Sequence, residues 1–278
     1  MKIYQTADPA RYSRMTTAEL REAFLVDGLF SAGAVQAVYV DLDRAVIGSA
    51  VPTDRPLELG SYDELRASYF TERRELGILN LGAAGTVTAA GVGYELENLD
   101  CLYIGRGTER ISFASADPEA PAAFYMLSYP AHCAYPTKMA KRVQAETTDL
   151  GSPAACNQRR VHKYIHANGI ESCQLVMGFT ELAAGSAWNT MPPHTHMRRS
   201  EIYFYFNLGD GDRVMHLMGP ARETRHIVVA NRQAVISPGW SIHAGVGTSA
   251  YAFCWGMGGK TRITATWIPW GSPASNRR

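Results

Sequence analysis

Hydrophobic and polar residues follow a clear helical spacing at one place in this chain, between residues 16 and 30. Thr16 and Glu19 stand at the spacing of a capping box, in which each side chain binds a backbone N–H group of the other residue. An apolar stripe follows, formed by Leu20, Ala23, Phe24 and Leu25. This pattern predicts one short amphipathic helix near the N terminus.

The remaining apolar residues form short runs rich in β-branched and aromatic side chains, separated by Gly, Asn and Asp. In the first half, these runs span residues 34–51, 76–105 and 110–115. In the second half, they span residues 173–182, 201–207, 213–218, 225–230, 233–238 and 251–257. Many short strands separated by turns predict an all-β barrel or sandwich.

A break and an internal similarity divide the chain in two. Residues 129–160 are rich in proline, polar and charged residues. Residues 72–87 resemble residues 197–214, because both have an Arg-Arg pair, an apolar run and then an Asn-Leu-Gly turn. The similarity favours a tandem pair of β-barrels. We place the two halves at residues 1–150 and 151–278.

Composition narrows the classes of partner. The chain has 278 residues, a formal net charge of +1 and 46% hydrophobic residues, which is typical of a globular protein. The near-neutral charge does not favour nucleic acid or an anionic membrane as a partner. No apolar run approaches the roughly 20 residues that span a bilayer. The five cysteines include no CxxC pair, which argues against a disulfide framework or a cysteine-based zinc site and favours the cytoplasm.

Three potential metal ligands stand close together after residue 193. His194 and His196 are two residues apart in one predicted strand, so their side chains project to the same side. If the next strand forms a hairpin with it across residues 197–200, Glu201 points toward the two imidazoles. His243, which follows a Pro-Gly turn in a later strand, could add a third imidazole. Three histidines and a glutamate suit a divalent transition metal with positions left open for substrate.

Two further histidines are weaker candidates. His216 lies in a predicted strand and could line the same cavity, but a position in the packed core is an equal alternative. His226 is weaker still.

The segments "PPHTHMRRSEIYFYFNLG" and "ISPGWSIHAGVG" resemble the two metal-binding motifs of the cupin superfamily. The second has the spacing P-G-x-x-x-H in place of the general P-x-G-x-x-H. From about residue 20 to residue 258, the chain also resembles the 5-keto-4-deoxyuronate isomerases, or 4-deoxy-L-threo-5-hexosulose-uronate ketol-isomerases. The block around residues 173–207, which includes "CQLVMGFTELAAGSAWNTMPPHTH", is the most specific to that family.

The resemblance implies an all-β double cupin, with two tandem β-barrel or jelly-roll halves and a short N-terminal helix. It also implies one zinc ion per chain in the second barrel. The implied ligands are His194, His196, Glu201 and His243.

The first barrel is expected to bind no metal at the corresponding positions, and to act in structure and oligomerisation. Those positions hold Tyr69, Thr71, Leu76 and Arg110. The resemblance further implies a homo-oligomer, a hexamer or smaller.

The implied activity is an aldose–ketose isomerisation in the breakdown of unsaturated uronates from pectin-like polymers. It converts 5-dehydro-4-deoxy-D-glucuronate to 3-deoxy-D-glycero-2,5-hexodiulosonate. Such a reaction needs a base to move a proton between neighbouring carbons. Our candidates are His216 and Glu201, the latter only if its carboxylate loosens from the metal. Tyr203 and Tyr205 share a strand face with Glu201, and Tyr205 is a candidate donor to the developing oxyanion.

The carboxylate of a sugar acid calls for a fixed guanidinium group, because arginine binds carboxylates through two parallel hydrogen bonds. The candidates are Arg198, Arg199 and Arg160. Lys138 and Lys163 are secondary candidates.

Some features depart from the family pattern and leave other functions open. Met197, Ser200 and the tail after residue 257 differ from the residues expected in the family, which bears on the exact substrate. One alternative is the 5-deoxyglucuronate isomerase of inositol catabolism, a related double cupin. The same ligand set could instead hold iron in a dioxygenase, or the chain could bind a sugar acid without catalysis.

Overall fold

The computed structural model describes residues 1–196 and 198–259, together with the backbone of residues 268–269. Met197 and most of the tail, where two of the departures from the family pattern occur, therefore lie outside the described residues. No helix in the described part is long and apolar enough to cross a membrane.

Short strands account for most of the secondary structure. The first part of the chain forms β1 (Lys2–Tyr4), α1 (Pro9–Tyr12), α2 (Thr17–Phe24), β2 (Leu25–Val26), β3 (Val35–Val40), β4 (Val46–Ala50), β5 (Leu57–Glu58), β6 (Arg74–Asn80), β7 (Gly85–Ala89), β8 (Val92–Leu96), β9 (Cys101–Ile104), β10 (Ile111–Ser115), β11 (Phe124–Pro130) and β12 (Lys138–Ala140). The second part forms β13 (Glu146–Leu150), β14 (Arg159–Ile165), β15 (Val176–Leu182), β16 (Trp188–Thr195), β17 (Glu201–Phe206), β18 (Val214–Gly219), β19 (Arg225–Val229), β20 (Gln233–Ser237), β21 (Ile242–Gly247), β22 (Ala252–Met257) and β23 (Ile268–Pro269). Short 3-10 helices lie at Leu42–Arg44, Asp63–Leu65, Arg142–Gln144 and Pro153–Ala155.

The strands form two pairs of sheets. In the first pair, a seven-stranded sheet has the order β1-β3-β4-β11-β6-β9-β12, and a four-stranded sheet has the order β5-β10-β7-β8. In the second pair, a seven-stranded sheet has the order β13-β14-β15-β22-β17-β20-β2, and a five-stranded sheet has the order β19-β18-β21-β16-β23. The registers determined between neighbouring strands are antiparallel, which is the arrangement expected of hairpins and Greek keys.

The chain divides into two compact units. The first contains residues Met1–Ile3, Gly28–Glu146 and Tyr164–Met177. The second contains Tyr4–Asp27, Thr147–Lys163 and the chain from Gly178 onward. The main boundary thus lies close to residue 150, but the N-terminal helices group with the second unit and residues 164–177 group with the first.

Apolar side chains fill the interior of the first unit. Val87 and Phe113 come from the four-stranded sheet, and Leu76, Ile78 and Leu102 come from the seven-stranded one; all five are completely buried in one hydrophobic cluster. Burial of this kind is the main stabilising contribution to a fold. Packed apolar side chains therefore fill the interior of the first barrel.

The predicted N-terminal helix is confirmed as α2, with its capping box. Glu19 N–H donates to Thr16 Oγ1 at 3.3 Å, and Thr16 N–H donates to Glu19 Oε2 at 2.6 Å. Phe24 is buried and lies edge-on to Trp240, with ring centroids 6.4 Å apart. Leu25 was predicted to extend the helical stripe, but its extended backbone begins β2, which pairs with β20. This short strand therefore attaches α2 to the seven-stranded sheet of the second unit.

A buried carboxylate fastens the segment before β15 to the first unit. Glu75 accepts backbone N–H bonds from Cys173 at 2.7 Å, Gln174 at 2.7 Å and Leu175 at 2.6 Å. The hydroxyl of Tyr103 donates to the same carboxylate at 2.7 Å. Hydrogen bonds to a charged acceptor are stronger than those between neutral groups, so this arrangement holds residues 173–175 in one conformation.

Candidate metal centre

The four predicted ligands converge inside the second unit. His194 is in β16, His196 directly follows that strand, Glu201 begins β17 and His243 is in β21. Glu201 Oε2 lies 3.0 Å from His196 Nε2 and 3.3 Å from His243 Nε2. His243 Nε2 lies 3.2 Å from His194 Nε2. The ligand atoms of the three histidines all lie within 4.8 Å of one another, and Glu201 Oε2 lies beside two of them.

The predicted hairpin between the histidine strand and the glutamate strand is wrong. β16 belongs to the five-stranded sheet and pairs with β21 and β23, whereas β17 belongs to the seven-stranded sheet. β17 is already hydrogen-bonded along both edges, to β20 and β22, so no edge is left for β16. The short connection between the two strands passes from one sheet to the other, and the ligands meet across the barrel interior.

Burial keeps the imidazoles ready to bind a cation. Desolvation lowers the pKa of His194 to about 4, and it lowers the pKa of His243 well below its usual value. Both side chains are therefore neutral at pH 7, with a nitrogen lone pair available. His243 Nδ1 lies 3.3 Å from Ser237 Oγ, so its N–H group can point to that hydroxyl while Nε2 faces the centre.

The donor spacing fits a metal ion. Zinc bonds of about 2.0–2.2 Å in a tetrahedron place the donors roughly 3.3 Å apart. Three of the separations have this size: Glu201 Oε2 to His196 Nε2 at 3.0 Å, Glu201 Oε2 to His243 Nε2 at 3.3 Å, and His194 Nε2 to His243 Nε2 at 3.2 Å. Glu201 Oε2 is buried and accepts no hydrogen bond from the described residues, although the Nε2 atoms of His196 and His243 lie 3.0 and 3.3 Å from it. Three nitrogens and one oxygen suit Zn²⁺, and they also suit Fe²⁺ or Mn²⁺.

A pocket of about 390 Å³ opens onto these ligands. His194, His196 and Glu201 form part of its wall. Its apolar wall includes Leu150, Val161, Met191, Phe253, Trp255 and Met257. A volume in this range and a mostly apolar lining with a few polar groups are typical of small-molecule sites.

The cations beside the pocket are Lys163, a predicted secondary candidate, and Arg159, which was not predicted. Arg159 and Lys163 line the pocket, on the same face of β14 as Val161. The predicted Arg160 falls on the opposite face, where its guanidinium binds the Asp149 carboxylate at 2.7 and 3.0 Å in an exposed ion pair. Strand alternation explains the difference, because adjacent residues point to opposite faces.

Arg159 has no acidic partner among the described residues. Its Nη1 donates to the backbone oxygen of Asn157 at 2.8 Å, and burial lowers its pKa. A half-buried guanidinium without a counter-ion favours the approach of an anion from the pocket. Sequence alone did not separate Arg159 from Arg160, because the pair "RR" gives no sign of which residue faces inward.

The other predicted arginines do not line the pocket. Arg198 is exposed in the connection between the sheets, and Arg199 is buried there. The charge of Arg199 is close enough to His194 and His243 to lower their pKa values further, after the effect of burial. The secondary candidate Lys138 belongs to the first unit.

The predicted catalytic pair His216 and Tyr205 lies in the barrel interior. Both side chains are fully buried, and the Tyr205 hydroxyl is 2.7 Å from His216 Nδ1. Burial lowers the pKa of His216 to about 3, so this imidazole is neutral at pH 7. The tyrosine that reaches the pocket wall is Tyr203, whose hydroxyl is 3.2 Å from Thr190 Oγ1.

Tyr203 was not among the predicted catalytic residues. Burial raises its pKa well above the usual value, so the phenol stays protonated and acts as a hydrogen-bond donor. Its ring centroid is 5.1 Å from that of His243. The alternation in β17 predicted that Tyr203 and Tyr205 share the face of Glu201, but it did not distinguish which tyrosine borders the cavity. His226, the weakest sequence candidate, is exposed in β19.

A sequence model of the KduI/IolB family matches residues 26–269. The chain belongs to the KduI/IolB family. Among the family's curated proteins, a relative from Opitutus terrae is 52% identical over 263 residues, which is 94% of this chain and 95% of the relative. A relative from Shouchella clausii is 51% identical over 94% of each chain. A third, from Escherichia coli O127:H6, is 46% identical over 95% of each. All three are named 4-deoxy-L-threo-5-hexosulose-uronate ketol-isomerase.

Solved structures support the fold of this KduI/IolB family member. An IolB-like protein from Salmonella typhimurium superposes with a TM-score of 0.71 at 16% identity, covering 88% of this chain and 96% of the other. Oxalate decarboxylase from Bacillus subtilis superposes with a TM-score of 0.60 at 9% identity, covering 88% and 77%. The predicted all-β double cupin is confirmed.

Replacement of one ligand should empty the metal centre of this family member. We expect His243→Ala to lower metal affinity by more than about 100-fold, since loss of an outer-shell partner alone costs about 10–100-fold. The measurement is metal content per chain by mass spectrometry after gel filtration. The matched control is His226→Ala, which removes an exposed histidine and should keep the metal. Equal metal content in the two variants would contradict the assignment.

Proposed function

We propose that this chain is a metal-dependent ketol-isomerase that converts 5-dehydro-4-deoxy-D-glucuronate to 3-deoxy-D-glycero-2,5-hexodiulosonate. The observation that carries the proposal is the convergence of three imidazoles and a carboxylate on a pocket, in a chain 52% identical to a named isomerase. The reaction belongs to the degradation of pectin-derived uronates. We also propose that the protein is cytoplasmic and forms a homo-oligomer, a hexamer or smaller, as the sequence analysis predicts.

The metal in this proposal is one Zn²⁺ held by the four converging ligands. When bound, such an ion polarises a carbonyl group and stabilises negative charge that develops on oxygen. The buried Glu201 carboxylate offsets part of the charge of the cation. Neutral imidazoles leave the rest of the positive charge available to the substrate.

The protein must also move a proton between two neighbouring carbon atoms. Of the two predicted bases, Glu201 borders the pocket, whereas His216 is enclosed behind the pocket wall. Glu201 is therefore the base that reaches the substrate, once its carboxylate loosens from the metal, and His216 positions the tyrosines. The His216 ring centroid lies 5.5 Å from that of Tyr203, and its Nδ1 is hydrogen-bonded to Tyr205.

Tyr203 supplies a hydrogen bond to the oxygen that becomes negative. Its high pKa keeps the phenolic proton in place at neutral pH. A donor fixed before the reaction, in a site with little water, stabilises developing charge more than a mobile water molecule does.

The substrate carboxylate binds at Arg159 and Lys163. Both cations line the same pocket as His194, His196 and Glu201, so they can hold the acid group while the carbonyl end reaches the ligands. Arg159 offers a planar guanidinium with no carboxylate partner in the described part of the chain. This arrangement distinguishes a sugar acid from a neutral sugar.

Sequence identity favours the uronate isomerase reaction. The relatives named for this reaction are 46 to 52% identical to this chain over 94 to 95% of its length. The ligand set alone also suits iron, so oxygen consumption has to be measured together with isomerisation.

The direct test is incubation of the purified protein with the unsaturated uronate released by a pectin lyase. NMR should show loss of the aldehyde form and growth of the 2,5-diketo acid, with no oxygen uptake and with zinc in the protein. Oxygen-dependent turnover would support a dioxygenase. Binding of the acid without conversion would support a non-catalytic protein.

The Arg-Arg pair offers a matched test of carboxylate binding. We expect Arg159→Ala to raise KM about 10–100-fold, because a charge-assisted hydrogen bond contributes about 1.5–3 kcal/mol. Arg160→Ala removes the same side chain from the opposite face of β14 and should leave KM within about twofold. Steady-state kinetics on the uronate measures both. A larger effect from Arg160→Ala would favour the original sequence prediction.

The two tyrosines of β17 can be compared in the same way. We expect Tyr203→Phe to lower kcat about 100-fold with metal retained, because loss of one oxyanion donor has an effect of about this size. Tyr205→Phe should have a smaller effect, since that hydroxyl contacts His216 and does not border the pocket. A larger loss of kcat in Tyr205→Phe would restore the sequence prediction for Tyr205.

A further inference from the structure

The first unit contains a second cluster of metal-binding groups, which shares no residue with the proposed isomerase site. His132 and Cys133 follow β11, and Cys173 lies before β15. The nitrogen of His132 and the two sulfur atoms all lie within 4.8 Å of one another. Cys173 Sγ is 3.1 Å from His132 Nδ1.

The cluster is held in place by backbone contacts. Glu75 fixes Cys173 through its backbone N–H at 2.7 Å, as part of the contacts that anchor residues 173–175. The backbone N–H of His132 donates to Cys173 Sγ at 3.3 Å. A backbone N–H donor aimed at sulfur stabilises a thiolate, which is the form of cysteine that binds metal.

The surroundings of Cys173 favour a positive charge. The Glu75 carboxylate accepts the backbone N–H bonds of Cys173, Gln174 and Leu175, so its negative charge lies close to the cluster. A metal ion bound at Cys173 would offset the negative charge of this carboxylate.

We propose that His132, Cys133 and Cys173 bind a second Zn²⁺, with one coordination position open to water. Two sulfur atoms and one imidazole nitrogen are soft donors that suit zinc and do not suit calcium or magnesium. Binding releases the two thiol protons to solvent, and no electron is transferred. The exposed face of His132 gives the ion and its water access from solvent.

The distance between His132 Nδ1 and Cys173 Sγ needs only a small increase to suit a zinc ion. Around a tetrahedral zinc ion, sulfur and nitrogen ligands stand about 3.6 Å apart. The observed 3.1 Å is shorter, and rotation of the exposed His132 ring increases it. The bound ion would join the segment after β11 to the segment before β15, so it acts as a structural link within the first unit.

This proposal departs from the sequence expectation of one metal per chain. That expectation concerned the positions that correspond to the cupin ligands, namely Tyr69, Thr71, Leu76 and Arg110, and none of them belongs to the cluster. The absence of a CxxC pair argued against a cysteine-based zinc site. The fold brings together two segments that lie about forty positions apart in the sequence, which spacing rules do not detect.

Cobalt substitution distinguishes the two centres by their donors. The cupin ligands are nitrogen and oxygen, so thiolate-to-cobalt charge transfer in the near ultraviolet can come only from a site with cysteine. We expect the full-length protein, reloaded with Co²⁺ under reducing conditions, to show this band. Cys133→Ser and Cys173→Ser should each lose it, and metal content should fall from about two ions per chain to about one.

Two controls make the result specific. His243→Ala should lose the cupin metal and isomerase activity but keep the thiolate band, so failure of either proposal is seen separately. Cys156→Ser removes an exposed cysteine outside the cluster and should change neither metal content nor the band. Cys133→Ser should keep its kcat, because this residue lies outside the proposed catalytic site.

Two results would overturn the proposal. The first is a protein reloaded with Co²⁺ that shows no thiolate band while its cupin site is filled. The second is loss of two titratable thiols on exposure to air with no second metal, which would make Cys133 and Cys173 a disulfide-forming pair.

Discussion

Burial of four polar ligands inside one barrel is the constraint on which the second unit depends. A carboxylate and three imidazoles removed from water carry a large cost unless their charge and lone pairs find partners. A divalent cation is the one partner that satisfies all four at once. The first unit avoids this cost, because Leu76 and its neighbours fill the corresponding interior with hydrocarbon. The same fold thus yields a closed core in one half and a pocket in the other.

The pocket combines groups that favour a polarised acid substrate. A neutral phenol lies beside the metal ligands, two cations lie on β14, and apolar side chains make up much of the remaining wall. Apolar walls lower the local dielectric constant, which strengthens each electrostatic contact with a bound molecule. Behind the wall, the Tyr205–His216 hydrogen bond holds aromatic side chains that contain no net charge.

Local sequence patterns predicted the parts of this site that depend on local geometry. The capping box located α2, and strand alternation placed Tyr203 on the face of Glu201. Local patterns could not predict the strand pairing, because β16 and β17 are adjacent in sequence but belong to different sheets. The choice between Arg159 and Arg160 also depends on which face of β14 is inside, which only the packed barrel decides.

The crossing between the two sheets gives the residue spacing of the first motif a meaning. Four residues, 197 to 200, separate His196, which follows β16 of one sheet, from Glu201, which begins β17 of the other. One residue more or fewer would turn β17 over and direct Ile202 or Ser200 inward in place of the glutamate. The length of this connection therefore determines which residue of β17 faces inward. Its side chains can vary, but its number of residues cannot.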